Sequence, residues 1–178
     1  MADLEYISKE TEQKILDEFD ARIILEKAPR VVKWNCWCCH NNYSSVKREM
    51  SWSFACYLWV LRQLEKETGK HFHKSTEVLR QCESRYNISP SDYPFLRTKW
   101  NCTERPDFMT PTQNRKYIGL SQTGNDFLDN KKGLKKFFYT EPVTGISRFC
   151  KSETTFKEVC TQELDDKDPK NPFFNTQP

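Results

Sequence analysis

The sequence predicts an α+β fold in which helices are followed by antiparallel hairpins. The stretch MSWSFACYLWVLRQLEKE carries apolar residues at the spacing of an amphipathic helix. RKYIGLS alternates as a strand does, and KKFFYTEPVTGISRF contains two strand-like halves separated by the turn EPVTG. Aromatic residues make up 13% of the 178 residues and only 5 glycines occur, so the chain can form a packed core.

The N-terminal part is predicted to contain a helix and a cysteine-rich turn. Residues 1–30 form an amphipathic pattern that Ser8 or Thr11 can cap and that Pro29 ends. Residues 31–50 follow as a short, β-prone turn segment that contains CWCCH. We therefore expect a helix over residues 1–30 and a turn segment over residues 31–50.

Residues 51–128 are predicted to form the core domain. Its first helix is expected after Ser51 and before Gly69. A second helix starts near Ser75, and a third starts near Ser91 because Pro94 is tolerated only in a first turn. A polar loop then joins two strand-like segments, which predicts a hairpin with a long tip. The residues expected to share one core are Trp52, Leu58, Leu61, Leu79, Phe95, Leu96, Trp100, Tyr117, Leu120 and Phe127.

The C-terminal part is predicted to contain a second hairpin and a short helix. Both fall within residues 129–164 and are expected to pack on the core, with Ser152 or Thr154 capping the helix. Residues 165–178 show no periodicity, which predicts a mobile tail.

Three helices followed by a hairpin is the order of a winged helix-turn-helix. DYPFLRTKWNCTE and RKYIGLSQTGNDFL resemble the segment from the third helix to the wing in winged helix-turn-helix proteins of bacteria and phages. The matching residues are Leu96, Arg97, Trp100 and Glu104 in the first run and Tyr117, Leu120, Thr123, Gly124, Phe127 and Leu128 in the second. Asn101 and Cys102 stand where this group usually has Gly-Leu. The chain is also similar to an uncharacterised branch with a cysteine-bearing N-terminal turn and a GISRF-type hairpin.

The resemblance implies a small non-enzymatic protein that binds double-stranded DNA, such as a transcriptional regulator of phage or mobile-element origin. Between Lys70 and Lys136 the chain has 13 lysines and arginines against 7 acidic residues, so its positive charge is concentrated there. If the third helix and the wing face one duplex, the DNA-binding residues are Ser91, Tyr93, Arg97, Lys99, Gln113, Asn114, Arg115 and Lys116. Arg105 would lie on the same wing.

A second interpretation is a winged helix that docks on another protein. Winged helices also serve as protein-interaction modules, because a fold does not determine a function. In that interpretation the aromatic residues of KKFFY and NPFF are exposed and are the anchors with which the protein binds and modulates a host complex.

The sequence does not favour an enzyme. It has no phosphate-cradling glycine loop, no paired-carboxylate constellation and no H-E-x-x-H motif, and no small-molecule substrate is expected. A cysteine nucleophile with a histidine base is a weaker alternative, because sequence alone shows neither an activated thiolate nor an orienting partner.

Cys36 and Cys39 form a C-x-x-C pair, which is half of a common structural zinc site. A second such pair is missing, so His71 and His73 are the best candidates to complete it, with Cys56 or Cys82 as alternatives. The competing interpretation is that these cysteines pack as small hydrophobic residues beside Trp34 and Trp37.

The sequence predicts a cytoplasmic protein, in the host cell if it is phage-encoded, with no membrane partner. No run approaches the roughly 20 apolar residues that span a bilayer, and the N-terminus lacks the basic-then-apolar order of a signal peptide. In that compartment its 8 cysteines are expected to be thiols or metal ligands.

Overall fold

A computed structural model describes residues 8–23, 30–35, 39–107, 110–142, 144–164 and 171–172. It contains α-helices and small antiparallel sheets, so the predicted α+β class is confirmed. The chain divides into two compact units. One comprises Met1–Glu49 and Lys135–Ser152, and the other comprises Met50–Leu134 and Glu153–Pro178.

The helices and strands alternate irregularly along the chain. In order they are α1 (Lys9–Ile23), β1 (Val31–Asn35), β2 (Asn42–Val46), β3 (Arg48–Glu49), α2 (Trp52–Thr68), β4 (His73–Lys74), α3 (Ser75–Tyr86), α4 (Pro94–Thr98), β5 (Thr103–Glu104), α5 (Pro111–Asn114), β6 (Tyr117–Leu120), α6 (Gln122–Leu128), β7 (Leu134–Lys135), β8 (Phe137–Thr140), β9 (Ser147–Phe149), β10 (Glu153–Thr154) and α7 (Phe156–Glu163). No helix among the described residues is both long and apolar enough to cross a membrane.

The first unit combines α1, the β1–β2 hairpin and the three-stranded sheet β3–β8–β9. Ser8 caps α1 as predicted, since its Oγ accepts a hydrogen bond from the Thr11 amide at 3.2 Å. Ile15 of that helix is buried in one cluster with Val32, Phe137 and Tyr139. The predicted KKFFYTEPVTGISRF hairpin is present as β8 and β9, which pair antiparallel.

The aromatic anchors expected in KKFFY are buried, so this prediction is wrong. Phe137, Phe138 and Tyr139 are at most 4% exposed. Successive side chains of a strand point to opposite faces, so the burial of all three shows that both faces of β8, the central strand of its sheet, are covered. The NPFF phenylalanines lie outside the described residues, as do Cys36, Trp37, Pro29 and nearly all of the tail predicted to be mobile.

The second unit is organised around α2, whose apolar side chains are almost all buried. Gly69 follows its last turn in the left-handed conformation, with φ 67°, as expected for a C-terminal glycine. Ser51 is the N-cap residue, but its side chain makes no capping bond. Instead the Trp52 amide donates to Glu163 of α7 at 3.0 Å.

A three-stranded sheet in the order β4–β6–β5 accompanies these helices. The β5–β6 pair is the predicted hairpin with a long tip, and α5 lies within its connection. Seven of the predicted core residues are buried: Trp52, Leu58, Leu61, Leu96, Trp100, Leu120 and Phe127. Leu79, Phe95 and Tyr117 are only half-buried.

Three helices have their N-cap one or two residues away from the nearest predicted position. Helix α4 begins at Pro94 and not at Ser91, because the fixed φ of proline suits the first helical position. Ser75 lies inside α3, and Lys74 holds the cap position. Helix α7 is capped by Thr155, because Thr154 belongs to β10 and only Thr155 reaches the Glu158 amide in a reciprocal capping box.

Candidate functional site

Three arginines from different elements of the second unit surround one small cavity. Arg97 lies on α4, Arg105 directly follows β5, and Arg115 directly follows α5 in the β5–β6 connection. The cavity has a volume of about 60 Å³. Within the described part of the chain, none of the three guanidinium groups forms an ion pair or a hydrogen bond with a carboxylate.

The remaining walls of this arginine cavity are held by the surrounding fold. Tyr93 stacks on Tyr57 at a ring-centroid distance of 5.0 Å and an interplanar angle of 11°, and Tyr57 is fully buried. Ser75 and Tyr117 also line the arginine cavity. The Ser75 amide donates to the Lys116 carbonyl at 2.9 Å, which ties the start of α3 to the hairpin connection.

The three charges interact with one another. Burial, followed by the neighbouring charges of Arg97 and Arg115, lowers the pKa of Arg105 from its ordinary value. A guanidinium nevertheless stays protonated near neutral pH, because its ordinary pKa lies far above neutrality. The arginine cavity is therefore a concentrated positive site.

A larger cleft of about 490 Å³ adjoins it and has mixed charge. It shares Arg97 and Arg105 with the arginine cavity but also contains Glu104 and Asp107. Glu104 and Asp107 line this second cleft and not the arginine cavity.

His71 holds Glu104 by joining it to the end of α2. Its Nδ1 lies 2.9 Å from Glu65 Oε1 and its Nε2 lies 2.8 Å from Glu104 Oε1. Burial opposes protonation of this imidazole, but the two carboxylates outweigh it, so the pKa of His71 is raised above its ordinary value.

This arrangement predicts that the protein is more stable on the acidic side of neutrality. Because the folded pKa of His71 exceeds its unfolded value of about 6.5, its contribution is full below that pH and is lost as the pH rises through the folded pKa. We expect the free energy of unfolding, measured by urea titration between about pH 6 and pH 8, to fall less in His71→Gln than in the wild type.

Glu104→Gln supplies the matched control, because it removes one carboxylate and leaves the imidazole in place. We expect a smaller pH dependence than in the wild type but a larger one than in His71→Gln. An identical pH dependence in all three proteins would contradict the assignment.

The predicted DNA-binding residues divide into two groups. Tyr93, Arg97 and Arg115 meet at the arginine cavity. The remaining described side chains lie outside both clefts: Ser91, Gln113 and Lys116 are exposed and Lys99 is half-buried. Asn114 lies on α5, but its side chain is not among those described. Two wall residues were assigned other roles from sequence, Ser75 as a cap and Tyr117 as core, because only the β4–β6 pairing brings them together.

The turn that leads from α4 to β5 explains the departure at Asn101 and Cys102. Asn101 has φ 59°, the left-handed conformation that glycine adopts most readily and that asparagine tolerates best among other residues. Cys102 is fully buried, and its amide donates to the Leu96 carbonyl at 2.7 Å. The turn between Arg97 and Arg105 is therefore made without the usual glycine.

The zinc site stays a prediction, since Cys36 lies outside the described residues. Cys39 is exposed, with its Sγ 3.5 Å from the Tyr43 hydroxyl. His71 uses both ring nitrogens on carboxylates, and the Nε2 of buried His73 lies 2.9 Å from the Lys70 carbonyl. Within the described ranges, no group of three or more histidine, cysteine or acidic side chains is arranged to hold a metal ion.

Three buried cysteines of the second unit, Cys56, Cys102 and Cys160, are protonated thiols. Burial raises the pKa of Cys102 to about 12 and is also the main reason that the pKa of Cys160 rises to about 12. A hydrogen bond with Cys82, together with burial, raises the pKa of Cys56. These side chains serve as packing residues, which is how free cysteine commonly behaves in cores.

Comparison with known proteins adds no assignment to this geometry. No protein-family model matches the chain, and neither the curated proteins nor the solved structures contain a significant match.

Proposed function

We propose that this protein is a non-enzymatic, double-stranded-DNA-binding protein with a winged helix-turn-helix core. The proposal is supported by the order α2, α3, α4 and then the β5–β6 hairpin. The observation that carries it is that Arg97 of α4 and Arg115 of the hairpin connection line the same cavity. A third helix and a wing that bind one duplex must present their cations on one side in this way.

In this proposal α4 approaches the major groove and the hairpin connection follows the phosphate backbone. Arg97 is the candidate to read a guanine edge, because a guanidinium matches the O6 and N7 acceptors of guanine. Gln113 and Asn114 are candidates for an adenine edge, and Arg115 and Lys116 for phosphates.

The shortness of α4 sets the expected balance between these contacts. It has five residues, and Arg97 is the only basic residue within it. Few side chains of α4 can therefore reach base edges, so phosphate contacts should provide most of the affinity. We expect binding with a steep salt dependence and a modest preference between sequences.

The test is a titration of duplex DNA at several salt concentrations. Arg115→Ala combined with Lys116→Ala should lower the affinity for every sequence. It should also reduce the slope of log affinity against log salt by about 2, because each cation that contacts a phosphate contributes about one unit. Fluorescence anisotropy with a labelled duplex measures both quantities.

The matched control is Lys66→Ala combined with Arg80→Ala. It removes the same charge from exposed positions on α2 and α3 that line neither cleft. We expect the wild-type slope in this control. Undetectable binding at low salt, or an equal effect of both double variants, would refute the proposal and favour a protein partner.

The protein-docking interpretation has lost part of its basis, because the KKFFY aromatics are buried. That the NPFF aromatics anchor a protein partner stays a prediction, since Phe173 and Phe174 lie outside the described residues. A role in transcription and an origin in a phage or mobile element likewise stay predictions.

A further inference from the structure

The geometry points to a binding site for a single phosphate-type oxyanion in the cavity lined by Arg97, Arg105 and Arg115. This inference goes beyond the proposed function, because it concerns the phosphate group itself and holds whether or not that group belongs to DNA. It assigns Arg97 to phosphate, and the guanine contact proposed for Arg97 would apply only if this inference fails.

The lining of the arginine cavity is positively charged. It contains Arg97, Arg105 and Arg115 and no carboxylate. Like charges held together are unfavourable for the folded chain, and within the described residues none of the three is relieved by an ion pair. An anion with two charges would relieve this repulsion, so the site is arranged for a ligand.

The arginine side chains of the cavity are suited to bind phosphate oxygens. A guanidinium presents N–H groups in a planar fork that matches two oxygens of a phosphate. The three arginines come from α4, the end of β5 and the hairpin connection, so three separate segments each supply such a group to the cavity lining. Tyr93 lines the same cavity, and its hydroxyl group is a further candidate donor.

The cavity is small. It measures about 60 Å³, more than the roughly 10–15 Å³ that a single water molecule needs. This space suits a group of a few heavy atoms. The organic part of a phosphate ester would have to leave the cavity, and the adjoining cleft shares Arg97 and Arg105 with it.

Several residues of the cavity wall are held in place by contacts with the rest of the second unit. Tyr93 is fixed by its stacking on buried Tyr57, and Ser75 is tied through its amide to Lys116. Arg105 directly follows Glu104, which pairs with Gly119 in the β5–β6 ladder and is held by His71. A site whose walls are already in place loses less conformational entropy when a ligand binds.

Inorganic phosphate is the direct probe, titrated into the full chain at constant ionic strength with chloride as the replacing anion. The NMR signals of the arginine Nε–Hε groups report each side chain separately. We expect saturable shifts for Arg97, Arg105 and Arg115 and none for Arg80, which is exposed on α3. Shifts that do not saturate, or that chloride produces equally, would overturn the inference.

Arg105→Gln is the decisive variant, because it removes one fork from the cavity. We expect phosphate to bind about tenfold more weakly or worse, the change produced by losing a charge-assisted contact. Arg80→Gln should leave the affinity unchanged. Arg105→Lys keeps the charge without the fork and should fall between the wild type and Arg105→Gln.

The folded state of each variant is checked by its far-ultraviolet circular dichroism. Because Arg105 is half-buried, Arg115→Gln serves as a second test at an exposed position and should weaken phosphate binding similarly. Unchanged phosphate affinity in folded Arg105→Gln or folded Arg115→Gln would overturn the inference.

Two model esters identify where the phosphate comes from. Dimethyl phosphate represents the phosphodiester of a DNA backbone, and methyl phosphate represents the terminal phosphate of a small molecule. If dimethyl phosphate binds and a duplex displaces inorganic phosphate, the site contacts the DNA backbone. If only methyl phosphate binds and a duplex displaces nothing, the ligand is a free phosphate monoester. Either result supports the site, whereas DNA binding without any phosphate binding would overturn this inference and leave the proposed function intact.

Discussion

Trp100→Ala is expected to destabilise the second unit by about 3–5 kcal/mol, the range found when buried aromatic side chains are truncated. Trp100 is 4% exposed, and its ring lies 5.3 Å from that of Phe54 on α2. It directly follows the α4 turn, and its amide donates to the Phe95 carbonyl at 3.2 Å. Its removal would leave a cavity between α2 and the turn that leads to β5.

A loss of this size is a large fraction of the roughly 5–15 kcal/mol by which domains are usually stable. We expect the thermal midpoint to fall by about 6–20 °C, a shift that circular dichroism measures directly. Trp100→Phe is the graded control, since it keeps an aromatic ring near Phe54 and should cost less. An unchanged midpoint in Trp100→Ala would show that this side chain does not belong to the core.

The burial of Trp100 illustrates what local sequence patterns predict well. Helix α2 and its C-terminal Gly69 could be predicted because periodicity and capping depend on residues close together in the chain. The same is true of the two hairpins, whose paired strands follow one another in the chain. The N-caps of α4 and α7 lie one or two residues from their nearest predicted positions, because several adjacent side chains are able to cap a helix.

Long-range pairing is what the sequence did not reveal. Strand β8 pairs with β3, far back in the chain, and together they form part of the unit that contains α1. Strand preference depends on such tertiary contacts, and local alternation does not specify the partner. Three consecutive buried aromatics, Phe137 to Tyr139, consequently resembled an exposed anchor although they occupy a central strand.

The candidate site was predictable to a similar extent. Arg97 and Arg115 could be named from the resemblance to the third helix and wing, and the structure brings them to one cavity. Ser75 could not be named, because it reaches the cavity through the pairing of β4 with β6. The contribution of Arg105 as a third, partly buried charge also depends on where β5 ends.

Gly124 lies where a helix meets a backbone, which makes its substitution the second large expected effect. It belongs to the first turn of α6, and its amide donates to the side chain of the N-cap Ser121 at 3.2 Å. A Cβ atom at this position would lie 3.1 Å from the carbonyl carbon of Cys102 and still closer to its oxygen. Because the obstacle is backbone, a change of rotamer cannot relieve the clash.

Gly124→Ala should therefore cost about 1–3 kcal/mol or more, as overpacking does, although alanine favours a helix by about 1 kcal/mol relative to glycine. The Cys102 carbonyl that it would displace accepts from the Ser121 amide at 3.1 Å, and the Cys102 amide donates to the Leu96 carbonyl at 2.7 Å. Displacement would thus reach the turn between Arg97 and Arg105, and we expect weaker phosphate binding together with the lower stability.

Gly69→Ala separates this clash from ordinary backbone strain. Gly69 has φ 67°, but a Cβ atom there would meet nothing within 4 Å, so its substitution should cost only the roughly 1–2 kcal/mol of a left-handed alanine. Urea unfolding of both variants measures the difference, and phosphate titration of the folded proteins measures the effect on the cavity. We expect Gly124→Ala to lose more stability than Gly69→Ala and to be the only one of the two with weakened phosphate binding. The opposite ranking would mean that α6 can move away from Cys102 at little cost, and that the turn between the two arginines is not held by this contact.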